Sequence, residues 1–515
     1  MSWGRSAPPG RPAALVARCA VSLEGALTAS RTVARTVART AVLTGVLTGV
    51  LLATSIGARR LAAQEAPWRP SRCLADTSAA TPLLLTPPPA PGVTTDTATD
   101  SIAPGVTYSC RRVAGGPWLL HVVSIDLRGG RYTLDAERAT GRMHGRERVS
   151  DMAARLAAGS MAPLVMINAD FFDLRTGEIE NNHVEAGEWV KGVVLSDSPH
   201  DEFDNAHSQL AIDTSGRPAI GRHQLDGRVM ARGGQAPLIG INYRPPRDAG
   251  LVLYTPWFGA RTPHDSASTD SGSRPVDPDS RPPGAARDTT PPRAAPSVSQ
   301  LRADSARHAS LAATREAVEL PLRRVGVSGD TILYEVLAGG LRAGGGAAIP
   351  AGGAVLSATG EARAFLRATA STGGRLRIVA RLAPGDIVPW AVVGGWPGVV
   401  RDGVNVGALA DSLEGTFPRF SAARHPRSAV AVTRDSATLL LVVVDGRRPW
   451  SVGMSLTELA DQLIALGAWQ AMNFDGGGSS ALWVKGTVVN YPSDPTGERA
   501  VGNALVVYPS APRRP

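Results

Sequence analysis

The run Asp475-Gly476-Gly477-Gly478-Ser479-Ser480 closes an apolar stretch, WQAMNF, that reads as a core strand. A carboxylate at a strand exit can serve as an acid, a base or a nucleophile. Glycine amides without Cβ hindrance can curl around an anion. Ser479 and Ser480 would add hydroxyl donors, and Asn473 lies two residues before the aspartate. A tight turn that only reverses the chain fits the same residues. A P-loop does not, because the G-x-x-x-x-G-K-[ST] spacing is absent.

A second group lies in INADFFDLRTGEIENNHVEAGEWVKG, residues 167–192. Asn168, Asp170 and Asp173 leave an apolar strand, and Asn182, His183 and Glu185 follow on a polar loop. An Asx-rich turn is the plain alternative. Arg427, at the start of the apolar run RSAVAV, has the planar fork that suits a phosphate, though a surface arginine has the same spacing. The glycines of VVGGWPGVVRDG, residues 392–403, permit close backbone approach. Arg499 stands just before the last strand signal, NALVVY.

The elements that must position these residues are mostly strands. GVTYSCRRV and WLLHVVSIDLRGGRYTLDAE alternate apolar and polar residues about Gly129-Gly130 and read as a hairpin. RVSDMAARLAAGS reads as a helix. SLTELADQLIALG does so more strongly: Ser455 and Glu458 have capping-box spacing, leucines recur at helical intervals, and Gly467 is placed as the stop. The expected fold class is α+β, with a mixed, largely antiparallel sheet and a few packed helices. One catalytic domain over 105–510 would carry a disordered insertion at 262–311, which holds no aromatic residue and no isoleucine.

The chain has 515 residues and a net charge of +9, but residues 1–64 hold eight arginines against one acid, Glu24. The remainder is close to neutral and has no basic stripe interleaved with aromatics, which argues against a nucleic-acid partner. Arg31, Arg35 and Arg39 precede the apolar run Ala41–Ile56, and small residues follow near Ala63. Residues 1–64 thus read as a signal peptide with transient membrane contact, or as an N-terminal anchor. Export to the periplasm, envelope or medium of a bacterium is the expected localisation. A Pro/Thr-rich linker spans 65–104. Of three cysteines, Cys73 and Cys110 would remain after cleavage as a candidate disulfide.

NFDGGGSSALWVKGTVVNYPSD followed by RAVGNALVVY, with INADFFD and HPRSAVAV upstream, resembles the phosphodiester glycosidase family. The resemblance spans about 105–510 without the insertion. Asn168, Phe171 and Phe172 match the family's N-x-x-F-F element, and Asn182 matches an asparagine after it. Arg427 matches R-[ST]-A, and Asp475–Ser479 match D-G-G-G-S; Phe474 stands where leucine often does. The resemblance implies hydrolysis of a sugar–phosphate link in a glycosyl phosphodiester or phosphorylated glycan, including α-linked N-acetylglucosamine-1-phosphodiesters. Asp475 would serve the anomeric carbon, with Asp170 as partner and Glu185 behind it. Asn168, Asn182, Arg427, Asn473, Gly476, Gly477, Gly478, Ser479, Ser480 and Arg499 would hold the substrate and its phosphate. Two other functions fit the residues. One is a divalent-metal phosphodiesterase with Asp170, Asp173 and Asp475 as oxygen ligands; the other is a non-catalytic protein that binds anionic glycan.

Overall fold

A computed structural model describes residues 94–113, 115–159, 162–196, 198, 201–245, 249–264, 316–371 and 373–510. The signal region, most of the linker and residues 265–311 of the expected insertion lie outside the described residues. Thr262, assigned to that insertion, is ordered: its N–H donates to the Ala347 carbonyl at 3.0 Å, and its hydroxyl accepts from Gly346 at 2.9 Å. The last residues of the expected linker, Thr94–Ala103, form an edge strand.

Strands dominate, which corrects the α+β expectation. The first sheet has eight strands, all antiparallel to their neighbours. Its order is Thr94–Ala103, Val106–Val113, Trp118–Asp126, Thr438–Val444, Arg427–Val432, Gln470–Phe474, Gly398–Arg401 and Val404–Asn405. Alternation along these strands buries both faces. On Trp118–Asp126, Leu119, Val123 and Ile125 face one core while Trp118, Leu120 and Val122 face another. The second of these cores is completed by the helix Leu456–Ala465 through Leu456, Leu459, Ala460 and Leu463. Both halves of the capping box form there: the Glu458 N–H donates to Ser455 Oγ at 3.2 Å, and the Ser455 N–H to the Glu458 carboxylate at 2.9 Å. Gly467 ends the helix at φ +96°, a conformation that favours glycine.

The first core packs the eight-stranded sheet against a five-stranded one, ordered Thr487–Val488, Leu482–Val484, Val165–Asn168, Asn503–Pro509 and Tyr132–Arg138. The expected hairpin about Gly129-Gly130 does not form. Trp118–Asp126 pairs in the first sheet, and Tyr132–Arg138 crosses to the edge of the other. The helix Val149–Ala157 covers the outer face of this second sheet with Val149, Met152 and Ala153.

The third sheet contains a closed barrel of seven strands. Around it run Gln224–Ala231, Arg375–Ala383, Thr331–Val336, Val318–Ser328, Gly353–Ala358, Leu251–Tyr254 and Gly234–Ile241, which pairs back with the first. Closure rests on Gln224–Ala231 pairing on both sides, with its hairpin partner Gly234–Ile241 and with Arg375–Ala383 far along the chain. Leu225, Val229, Leu320, Leu356, Leu376 and Ile378 fill its interior. From Gly234–Ile241 the sheet continues through Glu188–Val193, His183–Glu185, Pro389–Gly394, Ser208–Asp213 and Pro218–Arg222. That extension carries the barrel's sheet to the exits of the other two.

Candidate active site

Two strands from different sheets end side by side. Val165–Asn168 leads into Asp170, and Gln470–Phe474 leads into Asp475. Asn168 clips the ends together: its side-chain amide donates to the Asp475 carbonyl at 2.7 Å, and its Oδ1 accepts from the Ser428 hydroxyl at 2.8 Å and the Ala481 N–H at 3.0 Å. The Asp475 N–H donates to the Ala169 carbonyl at 2.8 Å. Asn168 is therefore committed to holding the two strand ends in place.

Asp170 is 1% exposed. Its N–H donates to Asn503 Oδ1 at 2.8 Å, and both carboxyl oxygens accept from Asn181, from its backbone N–H at 3.0 Å and its side-chain amide at 2.6 Å. Burial nonetheless pushes its carboxyl up to about 6, against the opposing pull of those bonds. Asp475 is also pushed up to about 6, chiefly by desolvation, although solvent still reaches part of the residue. The Ser479 hydroxyl, Arg499 and the Gly476 N–H favour its charged form, and the negative charge of Asp170 opposes it. The Asp170 charge thus acts on Asp475 across the adjoining strand ends. Gly394, on the barrel's sheet extension, presses on Asp170 and Asn181; a methyl there would lie 2.5 Å from the Asp170 carboxyl carbon and 2.4 Å from the Asn181 Cβ.

The three glycines have distinct reasons. Gly477 sits at φ +62°. A methyl on Gly476 would lie 2.6 Å from the Pro426 carbonyl, and one on Gly478 would overlap the Asp494 carboxylate and the Arg499 guanidinium. Arg499 forks onto Asp494 at 2.7 and 2.9 Å and reaches Ser479 Oγ at 3.4 Å. On the other side, a methyl on Gly477 would lie 3.0 Å from the guanidinium of Arg447. The loop is therefore flanked by two arginines. Its own amides are less open than expected, because the Gly477 N–H donates to Pro426 and that of Ser479 to Gly476. The Ser480 hydroxyl and Asn473 Oδ1 are buried without a hydrogen-bond partner among the described residues. Asn473 also ties the loop to the neighbouring segment by donating from its side chain to the Trp396 carbonyl at 2.8 Å.

Aromatic rings stand beside Asp170. Phe171 packs edge-on against Trp396 and Phe420, centroids 5.7 and 5.9 Å apart, and Trp396 stacks on Phe420 at 5.0 Å and on His207 at 5.2 Å.

Several residues expected to hold the substrate have their polar groups engaged by the protein itself. Arg427 is 1% exposed; its guanidinium donates to the carbonyls of Met454, Phe420 and Ala423 and lies over the Phe420 ring, and burial lowers its pKa to about 9. It braces the 417–424 turn. Asn182 links the Val193 N–H and the His223 carbonyl. Glu185 accepts from the Arg138 N–H and His183, near Asp135 and Glu137, and burial pushes it up to about 7. It reaches Asp170 only through the His183–Asn503 chain of hydrogen bonds. Asp173 caps its own turn, accepting from Arg175 and Thr176, so it does not join Asp170 and Asp475 as a third oxygen ligand. Among the described residues no three His, Cys, Asp or Glu side chains are grouped to hold a metal ion. Sequence reasoning missed Arg447, Asp494 and Asn181; only Asp494 had a signal, in the YPSD that follows the glycine loop.

Residues 325–508, which include Asp475 and Arg499, match the family model described as phosphodiester glycosidase. That segment, about a third of the chain, is similar to the family's domain. The match is narrower than the 105–510 span of the sequence resemblance, and Asp170 lies outside it. Among curated proteins, the SPbeta prophage-derived protein YomE of Bacillus subtilis (strain 168) is 38% identical over 87 residues, 17% of this chain and 13% of its own length. The N-acetylglucosamine-1-phosphodiester alpha-N-acetylglucosaminidase of Bos taurus is 39% identical over 80 residues, 16% of this chain and 15% of its own length. The chain thus aligns with about a seventh of each relative. A crystal structure of a hypothetical protein from Synechocystis shares the fold, with a TM-score of 0.56 and 20% identity over 81% of this chain and 64% of that one.

Proposed function

We propose that the chain is an exported hydrolase that cleaves the sugar–phosphate bond of glycosyl phosphodiesters in envelope or extracellular glycans. The observation that carries this reading is the two desolvated carboxyls, Asp170 and Asp475, at adjoining strand ends beside a glycine loop flanked by Arg447 and Arg499. A departing phosphate monoester needs charge stabilisation more than protonation, and the two guanidinium groups with the Ser480 hydroxyl suit that task. The anomeric carbon needs a carboxylate to stabilise or attack it, and a second group to move a proton to or from water.

The surroundings favour a division of these roles opposite to the sequence expectation. Both oxygens of Asp170 accept N–H bonds from Asn181, which can only donate there, so Asp170 is the better-held anion. Asp475 faces the Ser479 hydroxyl, which can accept as well as donate, and so suits the shared proton. Near pH 6 the pair would hold one proton between them, and activity would follow a bell-shaped pH profile. The half-buried rings of Phe171, Phe417 and Phe420 offer apolar surface to a sugar. The disulfide-bonded state of Cys110 supports an oxidising compartment.

The test is a screen of α- and β-linked glycosyl phosphodiesters for release of reducing sugar by wild type and Asp170→Asn. Turnover by wild type that Asp170→Asn abolishes is the expected result. No turnover of any glycosyl phosphodiester would overturn the reading and leave a binding protein.

A further inference from the structure

The closed barrel has an open end, and it is not at the carboxyl pair. A cavity of about 960 Å³ lies there between the barrel and the 141–144 and 255–260 segments; neither Asp170 nor Asp475 lines it. Its wall is apolar and belongs to the barrel core: Trp189, Ile241, Leu253, Tyr334 and Ile378. Barrels of this size are near the width at which the interior either fills with side chains or holds one small ligand. Here aliphatic residues fill the middle and leave one end hollow. The volume is that of a ligand pocket, and so is the composition of apolar and aromatic walls with a few polar groups.

The polar groups are not evenly matched in charge. Glu188 and Arg324 form a forked ion pair at 2.7 and 2.9 Å and neutralise each other. His144 reaches Glu178, at 3.5 Å, and no other acid among the described residues. Arg142, exposed at the rim, has no partner for its guanidinium among the described residues. Tyr334 is 2% exposed, and its hydroxyl likewise has no hydrogen-bond partner among the described residues. Burial pushes that hydroxyl up to about 12, so it remains a donor at neutral pH. A guanidinium and a phenol without acceptors therefore border an apolar hollow. An uncharged oil would leave both unmatched, and a polar sugar would leave the apolar wall wet.

We propose that the barrel mouth binds an amphiphilic anion, its apolar chain or ring system inside the barrel and its anionic group at Arg142. This site would be independent of the hydrolytic reading but physically joined to it. Arg138 donates to the carbonyls of Arg142 at 3.2 Å and of Met143, and also to that of Gly502, whose neighbour Asn503 holds the Asp170 N–H.

The experiment uses the full chain, with 1-anilinonaphthalene-8-sulfonate as fluorescent probe and with decanoate and decanol as competitors. One saturable site is expected, from which decanoate displaces the probe about tenfold more effectively than decanol. Arg142→Glu should weaken decanoate about tenfold, since reversing a rim charge turns attraction into repulsion. Ala380→Leu, which fills the hollow from the barrel wall, should weaken probe and both competitors. Asp475→Asn should leave all three unchanged, which separates this site from the carboxyl pair. Absence of saturable probe binding to wild type would overturn the proposal, as would affinities that Arg142→Glu leaves unchanged. If Ala380→Leu does not fold, the Arg142→Glu comparison decides alone.

Discussion

Replacing Asp475 with asparagine should make the protein more stable at alkaline pH while removing its activity. Burial raises the Asp475 carboxyl from 3.8 to about 6, so the folded state holds its proton more tightly than the unfolded chain does. The sign follows directly. The stability contributed by the protonated group is fully present below pH 3.8 and is lost as pH rises through about 6, because above it the fold must accommodate an anion. A displacement of that size corresponds to about 3 kcal/mol. Solvent reaches part of the residue, which screens the charge, so about 1–3 kcal/mol is the reasonable range. Asparagine keeps the shape, and the Gly476 N–H and Ser479 hydroxyl can still bond to it. Urea unfolding of wild type and Asp475→Asn at pH 4.5 and pH 8 measures the effect. The variant should gain about 1–2 kcal/mol on wild type between the lower and the higher pH, since at pH 4.5 part of the effect is already lost, with turnover of any accepted glycosyl phosphodiester reduced about 10²–10⁴-fold. Parallel pH dependences for the two proteins would refute the argument, because Asp475 would then be an ordinary solvated or well-paired carboxylate.

Other substitutions separate positioning from architecture. Gly394→Ala pushes a methyl into the Asp170 carboxyl; turnover should fall about 10²-fold, for a stability loss of about 1–3 kcal/mol in urea. Turnover within threefold of wild type would show that Asp170 need not stay where it is. Gly478→Ala should force apart Asp494 and Arg499 and raise KM for a phosphodiester substrate about tenfold, measured by initial rates. Arg427→Met leaves three backbone carbonyls unmatched and should lower unfolding stability by about 2–4 kcal/mol, with KM of the folded fraction within a few-fold of wild type. A large rise in KM alone would return Arg427 to the phosphate.

The parts of this fold that local rules govern were legible in the sequence. The helix after Ser455 follows from its capping box, its leucine spacing and Gly467. Asp170 and Asp475 were recognisable as carboxylates at the exits of apolar strands, which is where the two sheets meet. The barrel was not legible, because closure depends on Gln224–Ala231 pairing with Arg375–Ala383 across about 150 residues, and alternation within a strand says nothing of its partners. Gly129-Gly130 misled for the same reason: a turn signal fixes a bend, not which sheet receives the next strand. Asn168 joins the two strand ends while Arg427 and Asn182 turn to backbone carbonyls, because a polar residue at a strand end can face solvent, substrate or bare carbonyls. Which it faces is decided by what folds over it, here the 417–424 turn above Arg427. Arg447 carried no local mark; only the fold brings it to Gly477.

The central claim is that water attacks carbon and not phosphorus. It can be tested by letting the enzyme turn over a glycosyl phosphodiester in ¹⁸O-enriched water and weighing both products by mass spectrometry. A carboxyl pair serving an anomeric centre, with arginines holding a phosphate that leaves intact, predicts label in the released sugar and none in the phosphomonoester. Label in the phosphate would contradict the account and assign Asp170 and Asp475 to phosphoryl transfer.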